Sequence, residues 1–188
     1  LNDHTVCRVI ELVLAERGDP GVPFTWLCFG SEGRREQTLH TDQDNGILFD
    51  AKDATQAAEI RLRLLPIAQH INTHLAACGF TLCKGNIMAG NPDLCLSRAE
   101  WTRRFAAFIR EATPENLLGS SIYFDLRVVW GDEQGCQQLR RGILQQVADN
   151  RLFQRMMADN ALRHRPPVGR FREFVLERKG GDKATLDL

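Results

Sequence analysis

The sequence has no surplus of either charge: 24 lysines and arginines stand against 24 aspartates and glutamates. Proteins that grip duplex nucleic acid carry a basic excess, so the composition argues against nucleic acid as a partner. No apolar run approaches the roughly 18 residues of a membrane span, and no signal-peptide pattern is present. A cytoplasmic protein without a membrane segment is therefore expected. The six cysteines contain no C-x-x-C, and Cys78, Cys83 and Cys95 lack the close pairs of a zinc site. All six are expected to be reduced, mostly among apolar neighbours. Repeats and low-complexity tracts are also missing. What remains is an ordinary globular composition, 43% hydrophobic and 26% charged over 188 residues. That length suits one large domain or two small ones. The first residue is Leu and the last six are K-A-T-L-D-L, which points to a piece of a longer protein.

Apolar spacing organises the chain. Val6, Val9, Ile10, Val13 and Leu14 share one face of a predicted helix that ends at Gly18-Asp19-Pro20-Gly21. F-T-W-L-C-F (24–29) is apolar on both alternating faces and reads as a central strand; N-G-I-L-F-D (45–50) reads as a second. Asp53 and Gln56 form a capping box for a long helix reaching about Cys78, with Pro66 inside it as an expected kink. Residues 80–88 are the place for a further strand, followed by a Gly/Asn-rich loop. Ser97 and Glu100 cap another helix carrying Trp101, Phe105 and Phe108, which read as core. A helix from Thr113-Pro114 to about Trp130 is expected next, with Gly131 as its stop, and then helices over 133–148 and 150–164. The division follows as a core over 1–95 and a helical unit over 96–188.

The chemistry concentrates in W-L-C-F-G-S-E-G-R-R-E-Q-T-L-H-T-D-Q-D-N-G-I-L-F-D. A strand that ends in Gly30-Ser31 and turns into a helix presents free backbone N–H groups to a phosphate. In an extended segment residues i and i+2 point the same way, so Asp42 and Asp44 present two carboxylates together. Two bare charges about 4 Å apart repel by about 4 kcal/mol at an effective dielectric near 20. Mg²⁺, which takes oxygen ligands from carboxylates and substrate phosphates, is the natural counter-charge; a solvated acidic turn is the plainer reading. Together the features place a triphosphate for attack at its α-phosphorus.

This arrangement resembles the nucleotidyltransferase superfamily of DNA polymerase β, and more narrowly the PII uridylyltransferases. Gly30, Ser31, Gly33, Arg34, Glu36, Thr41, Asp42 and Asp44 match the latter in register. The closest likeness is to the bacterial nucleotidyltransferase-like proteins that follow CBS and cyclic-nucleotide-binding domains in signalling chains. Their G-S-E-G-R-x-E-Q, T-D-Q-D-N, C-x-G-x-M-A-x-N-P and F-D-x-R-x-x-x-G-D occur here at 30–37, 41–45, 83–92 and 124–132. The resemblance implies an α+β fold, a polymerase-β-like core of short mixed sheet and flanking helices followed by a helical substrate-binding bundle. It implies Gly30 and Ser31 on the triphosphate, Asp42 and Asp44 as catalytic ligands of Mg²⁺, and nucleotide contacts from the neighbourhood of Gly33 and Thr41. Arg34 would reach phosphate, with Glu36 holding that arginine or a backbone turn. The implied reaction moves a nucleoside monophosphate from a triphosphate to an acceptor, a PII-like regulatory protein among the candidates, under upstream sensor domains.

One expected part is missing. Active members of the superfamily usually carry a third carboxylate on a later strand, and F-T-L-C-K-G-N-I-M (80–88) holds none. Asp125 is the candidate substitute, read either as a third catalytic acid or as half of a structural ion pair. The loop around Lys84, Asn86 and Asn91 either contacts the substrate or simply caps the sheet. His70 and His74 stand at i, i+4 with no third ligand nearby and read as surface or packing residues; His40 carries no assigned role. A catalytically inactive nucleotide sensor is the alternative to the enzyme, and a small-molecule nucleotidyltransferase fits the region after residue 80 less well.

Overall fold

The computed structural model describes residues 2–36, 41–111, 113 and 122–163. Its elements are α1 (Asn2–Arg17), β1 (Thr25–Cys28), α2 (Gly30–Arg34), β2 (Asn45–Phe49), α3 (Ala54–Ala77), a 3-10 turn (Pro92–Leu94), β3 (Cys95–Ser97), α4 (Arg98–Arg110), β4 (Arg127–Trp130), α5 (Glu133–Ala148) and α6 (Arg151–Arg163). The four strands form one mixed sheet in the order β3-β2-β1-β4. β1 runs antiparallel to β2 and β4, and β3 runs parallel to β2. A small mixed sheet flanked by helices, with further helices after it, is the polymerase-β-like α+β arrangement.

β1 takes a central place because both of its faces are apolar. On one side Trp26, Ile47 and Phe49 pack with Val6, Ile10 and Val13 of α1 and Leu64, Ile71 and Leu75 of α3. On the other, Leu27, Phe29 and Leu48 meet Trp101 and Phe105 of α4, Leu139 and Ile143 of α5, and Phe153 of α6. The alternation along each strand sorts these side chains between the two layers. Trp101 keeps its buried indole N–H satisfied by donating to the Ile47 carbonyl at 2.9 Å. Ser97 and Glu100 make the full capping box of α4. At α3, Asp53 accepts the Gln56 N–H at 2.8 Å, whereas the Gln56 side chain takes the N–H of Lys52 rather than that of Asp53. α3 continues through Pro66.

Two expectations fail. Residues 127–130 are a strand and not the end of a helix. Val128 and Val129 are β-branched and flanked by Trp130, which suits a pleated surface better than a helix. Gly131, at φ 97°, turns the chain out of that strand. Of the predicted helix, residues 122–123 are helical, while 112, 114–121 and everything after 163 lie outside the described residues, as do Gln37 and His40. No strand forms over 80–88: a single parallel bridge joins Asp42 to Thr81, and the third strand is Cys95–Ser97. Asn86, at φ 55°, turns the backbone between the two. The sheet thus draws β3 and β4 from residue 95 onward. Among the described residues no helix is long and apolar enough to cross a membrane.

Candidate functional site

The segment leading into β2 alternates in burial. Asp42 is exposed and Asp44 half-buried, whereas Gln43 and Asn45 are 1% and 2% exposed. The inward pair is tied to α3 and to the loop after it. Gln43 donates to the carbonyls of Asn72 at 2.9 Å and Phe80 at 3.0 Å. Asn72 donates to Gln43 Oε1 at 2.7 Å and to Asn45 Oδ1 at 2.9 Å. The side-chain oxygens of Asn45 and Asn72 accept the N–H groups of Ala89 and Gly90 at 2.8 and 2.9 Å. Main-chain bonds from Gln43 to Thr81 and from Asn45 to Ile87 fasten the same loop. An open buried amide costs about 1–3 kcal/mol, and none of these three has a buried atom without a partner. The network therefore fixes the direction of Asp42 and Asp44 from behind, and it accounts for much of the 83–92 motif as the partner of the 41–45 motif.

Of the outward pair, Asp44 lies beside α2. Gly30 opens that helix at φ 53°, and a Cβ there would stand 3.6 Å from Asp44 Oδ2 and 3.9 Å from Ile122 Cγ2. The Phe29 N–H donates to the Asp44 carbonyl at 2.9 Å, extending the β1–β2 pairing and holding the two segments together. Burial pushes the Asp44 carboxyl up; hydrogen bonding from the Cys83 thiol opposes this, and the charge of Asp42 adds to it. No basic side chain pairs with Asp42 or Asp44 among the described residues. Thr41 is half-buried, and its carbonyl accepts the Thr81 N–H at 3.1 Å. Ser31 is half-buried in the first turn of α2.

Two adjacent carboxylates without a counter-charge supply the oxygen donors that a hard divalent cation takes, and such a cation completes its shell from water and substrate phosphates. Among the described residues no three His, Cys, Asp or Glu side chains are grouped to hold a metal by themselves. The rings of His70 and His74 lie 5.6 Å apart and tilted by 45°, with Arg17 bonded to His70.

Glu32 has no role in the sequence reading, because a glutamate inside S-E-G-R-R-E looks solvated. It is 4% exposed. Burial raises its carboxyl to about 7, against the pull of Arg127; the charges of Asp3 and Asp44 raise it further. Glu32 is thus a buried acid on α2 within electrostatic range of Asp44, but among the described residues it is not grouped with Asp42 and Asp44 as a metal site.

The approach to β4 grips α2 from behind. Gly33 leaves no room for a side chain, since a Cβ would lie 1.6 Å from the Asp125 carbonyl oxygen. Asp125 also accepts Arg34 Nη1 at 2.6 Å, and Arg34 Nε donates to Glu36 at 2.7 Å. Both carboxylates hold the guanidinium in its charged form. Arg127 forms a two-pronged pair with Asp3 of α1 at 2.8 and 2.9 Å. The same guanidinium donates to the carbonyls of Glu32 at 3.0 Å and Gly33 at 3.3 Å. The 124–132 motif is thereby placed against the 30–37 motif, with Asp125 bound to Arg34 and not joined to Asp42 or Asp44.

Residues 1–115, more than half of the chain, match the family model described as "Putative nucleotidyltransferase DUF294". Residues 151–188 match the model described as "Putative nucleotidyltransferase substrate binding domain". No curated protein and no solved structure matches the chain.

Proposed function

The chain belongs to the DUF294 nucleotidyltransferase family, and on that premise we propose that it moves a nucleoside monophosphate from a nucleoside triphosphate to an acceptor. The acceptor's hydroxyl oxygen attacks the α-phosphorus, the bond to the β-phosphate oxygen breaks, the hydroxyl proton departs and pyrophosphate leaves. Asp42 and Asp44 hold Mg²⁺, which would neutralise phosphate charge as it develops. Gly30 and Ser31 bring main-chain N–H groups to the triphosphate, and Thr41 and Gly33 border it. Arg34 and Glu36 act by shaping α2, because the guanidinium is already held by two carboxylates. Asp125 works through that arginine.

The observation that carries this reading is the meeting of Asp44 Oδ2 with Gly30 beside a second, uncompensated carboxylate. The C-terminal region that includes residues 151–188 is read as the substrate-binding unit. Its acceptor is a PII-like regulatory protein, in a bacterial, cytoplasmic signalling chain governed by upstream sensor domains.

A second reading is a nucleotide sensor without turnover. It is favoured by the loop over 80–88, which offers no acid to Asp42 and Asp44, and by the engagement of Asp125 with Arg34. Calorimetric titration with non-hydrolysable ATP, UTP, CTP and GTP analogues, with and without Mg²⁺, tests both. Metal-dependent binding that disappears in Asp42→Asn/Asp44→Asn supports the site, and pyrophosphate release with an acceptor present separates enzyme from sensor. A folded protein that binds no nucleotide would sink both readings.

A further inference from the structure

Next to the Asp pair stands a wall that neither the phosphates nor the metal would use. Tyr123 follows Ile122, whose methyl lies over Gly30, and it packs edge-on against Phe29 at 5.3 Å. Phe108 of α4 lies parallel to Tyr123, with 5.7 Å between centroids and 9° between planes. The Arg104 guanidinium sits 5.1 Å from the Tyr123 ring centre and 5.6 Å from that of Phe108. Burial is the main influence on the Tyr123 phenol, and the charge of Asp44 also reaches it. Phe108 and Arg104 remain half-buried, whereas Tyr123 beneath them is 7% exposed.

Arg104 is under-used for a residue in that position. It donates Nη1 to the Asp93 carbonyl at 2.8 Å and Nη2 to the Tyr123 hydroxyl at a long 3.4 Å. Its Nε is the buried side-chain polar atom left without a hydrogen-bond partner among the described residues. Buried donors are paired as a rule, and an exception calls for an explanation. A guanidinium among aromatic rings is a surface on which a nucleobase stacks, with donors that read acceptor atoms on the base edge.

We propose that Arg104, Phe108 and Tyr123 form the subsite for the nucleobase of the triphosphate. The inference rests on the nucleotidyltransferase reading above. Arginine offers donors and no acceptor, so it favours bases that show carbonyl oxygens, as uracil and guanine do, over adenine, which shows ring nitrogens and an amino donor.

The test separates base from phosphate. Binding of UTP, GTP and ATP analogues and of inorganic tripolyphosphate, all with Mg²⁺, would be measured for the unaltered chain and for Arg104→Met and Arg104→Lys. Methionine keeps the packing volume but has no donor. The expected result is about tenfold weaker UTP- or GTP-analogue binding in Arg104→Met, the size of a lost charged hydrogen bond. Tripolyphosphate binding and the melting profile should stay unchanged, with Arg104→Lys intermediate. A folded Arg104→Met that binds every nucleotide as the unaltered chain does would overturn the subsite while leaving the transferase reading intact. Preference for ATP in the unaltered chain would overturn the assignment of a carbonyl-bearing base. Absence of both nucleotide and tripolyphosphate binding would remove the reading on which the subsite rests.

Discussion

Where β1 runs into α2, two carboxylates stand together with no counter-charge among the described residues, yet the amides behind them are paired throughout. Where β1 begins and β2 and β4 finish, a cavity of about 880 Å³ lies between Phe24, Phe49, Ile60 and Trp130. The acids at that second end are already occupied. Asp19 accepts the Gly21 N–H at 2.7 Å, Asp132 caps α5, and Asp50 pairs with Arg98 at 2.8 Å. Volume and chemistry therefore separate along one sheet. A large apolar space with satisfied polar rims asks for nothing in particular. Unbalanced charge on a fixed scaffold asks for a cation, and it is this end that the family's motifs surround.

The comparison would break most visibly at Gly33. Alanine there would place its methyl carbon 1.6 Å from the Asp125 carbonyl oxygen, a backbone atom that cannot swing aside. The expected loss is about 4 kcal/mol or more, in the range reserved for severe steric faults, read by urea unfolding. Gly142→Ala, on α5 with open space around it, should gain up to about 1 kcal/mol from the better helix propensity. If Gly33→Ala unfolds at the same urea concentration as the unaltered chain, β4 does not grip α2 as described.

Glu32 sharpens the contrast from the electrostatic side. Its folded-state carboxyl titrates at about 7, above an ordinary value of 4.5. A raised acid favours folding below its unfolded value, and that contribution is lost as pH climbs through the folded one. The unaltered chain should therefore weaken between pH 4.5 and 7 by about 2–3 kcal/mol from this group. Glu32→Gln, which cannot ionise, should be more stable at pH 8 by a similar amount and should match the unaltered chain near pH 4. Unfolding curves for both proteins at the two pH values decide it; a constant difference would mean that Glu32 is not held in a dry, acid-rich site.

Much of this was legible before any coordinates. Alternating apolar residues placed β1 and β2, helical spacing placed α3 through α6, and Ser97 with Glu100 marked the start of α4. Gly30 and the Asp pair were legible because glycine and i, i+2 acids have local reasons. The same alternation that turns Asp42 and Asp44 outward turns Gln43 and Asn45 inward, so their burial was within reach of the sequence. Glu32 was not, because a polar run gives no sign that Arg127 and the α2–β2 contact enclose one of its members. β4 was missed for a different reason: Leu118, Ile122 and Val129 imitate a helical stripe, and strand pairing with β1 overrides it.

The smallest effect belongs to the cavity end. Asp50 is 69% exposed in its pair with Arg98, which is 37% exposed. Such pairs contribute little, because water and salt screen them and two long side chains lose freedom in holding one geometry. Asp50→Asn should shift stability by no more than about 0.5 kcal/mol and leave Mg²⁺-dependent nucleotide binding where it was. Asp44→Asn removes a carboxylate that burial and Asp42 both disfavour, so it should abolish that binding without weakening the fold. Titration of both variants with the same nucleotide and metal tests the two ends against each other. Equal losses of binding would mean that charge anywhere on the sheet matters and that the site has been drawn in the wrong place. Loss confined to Asp44→Asn would tie the chemistry to the end where the charge is unbalanced, however large the cavity at the other.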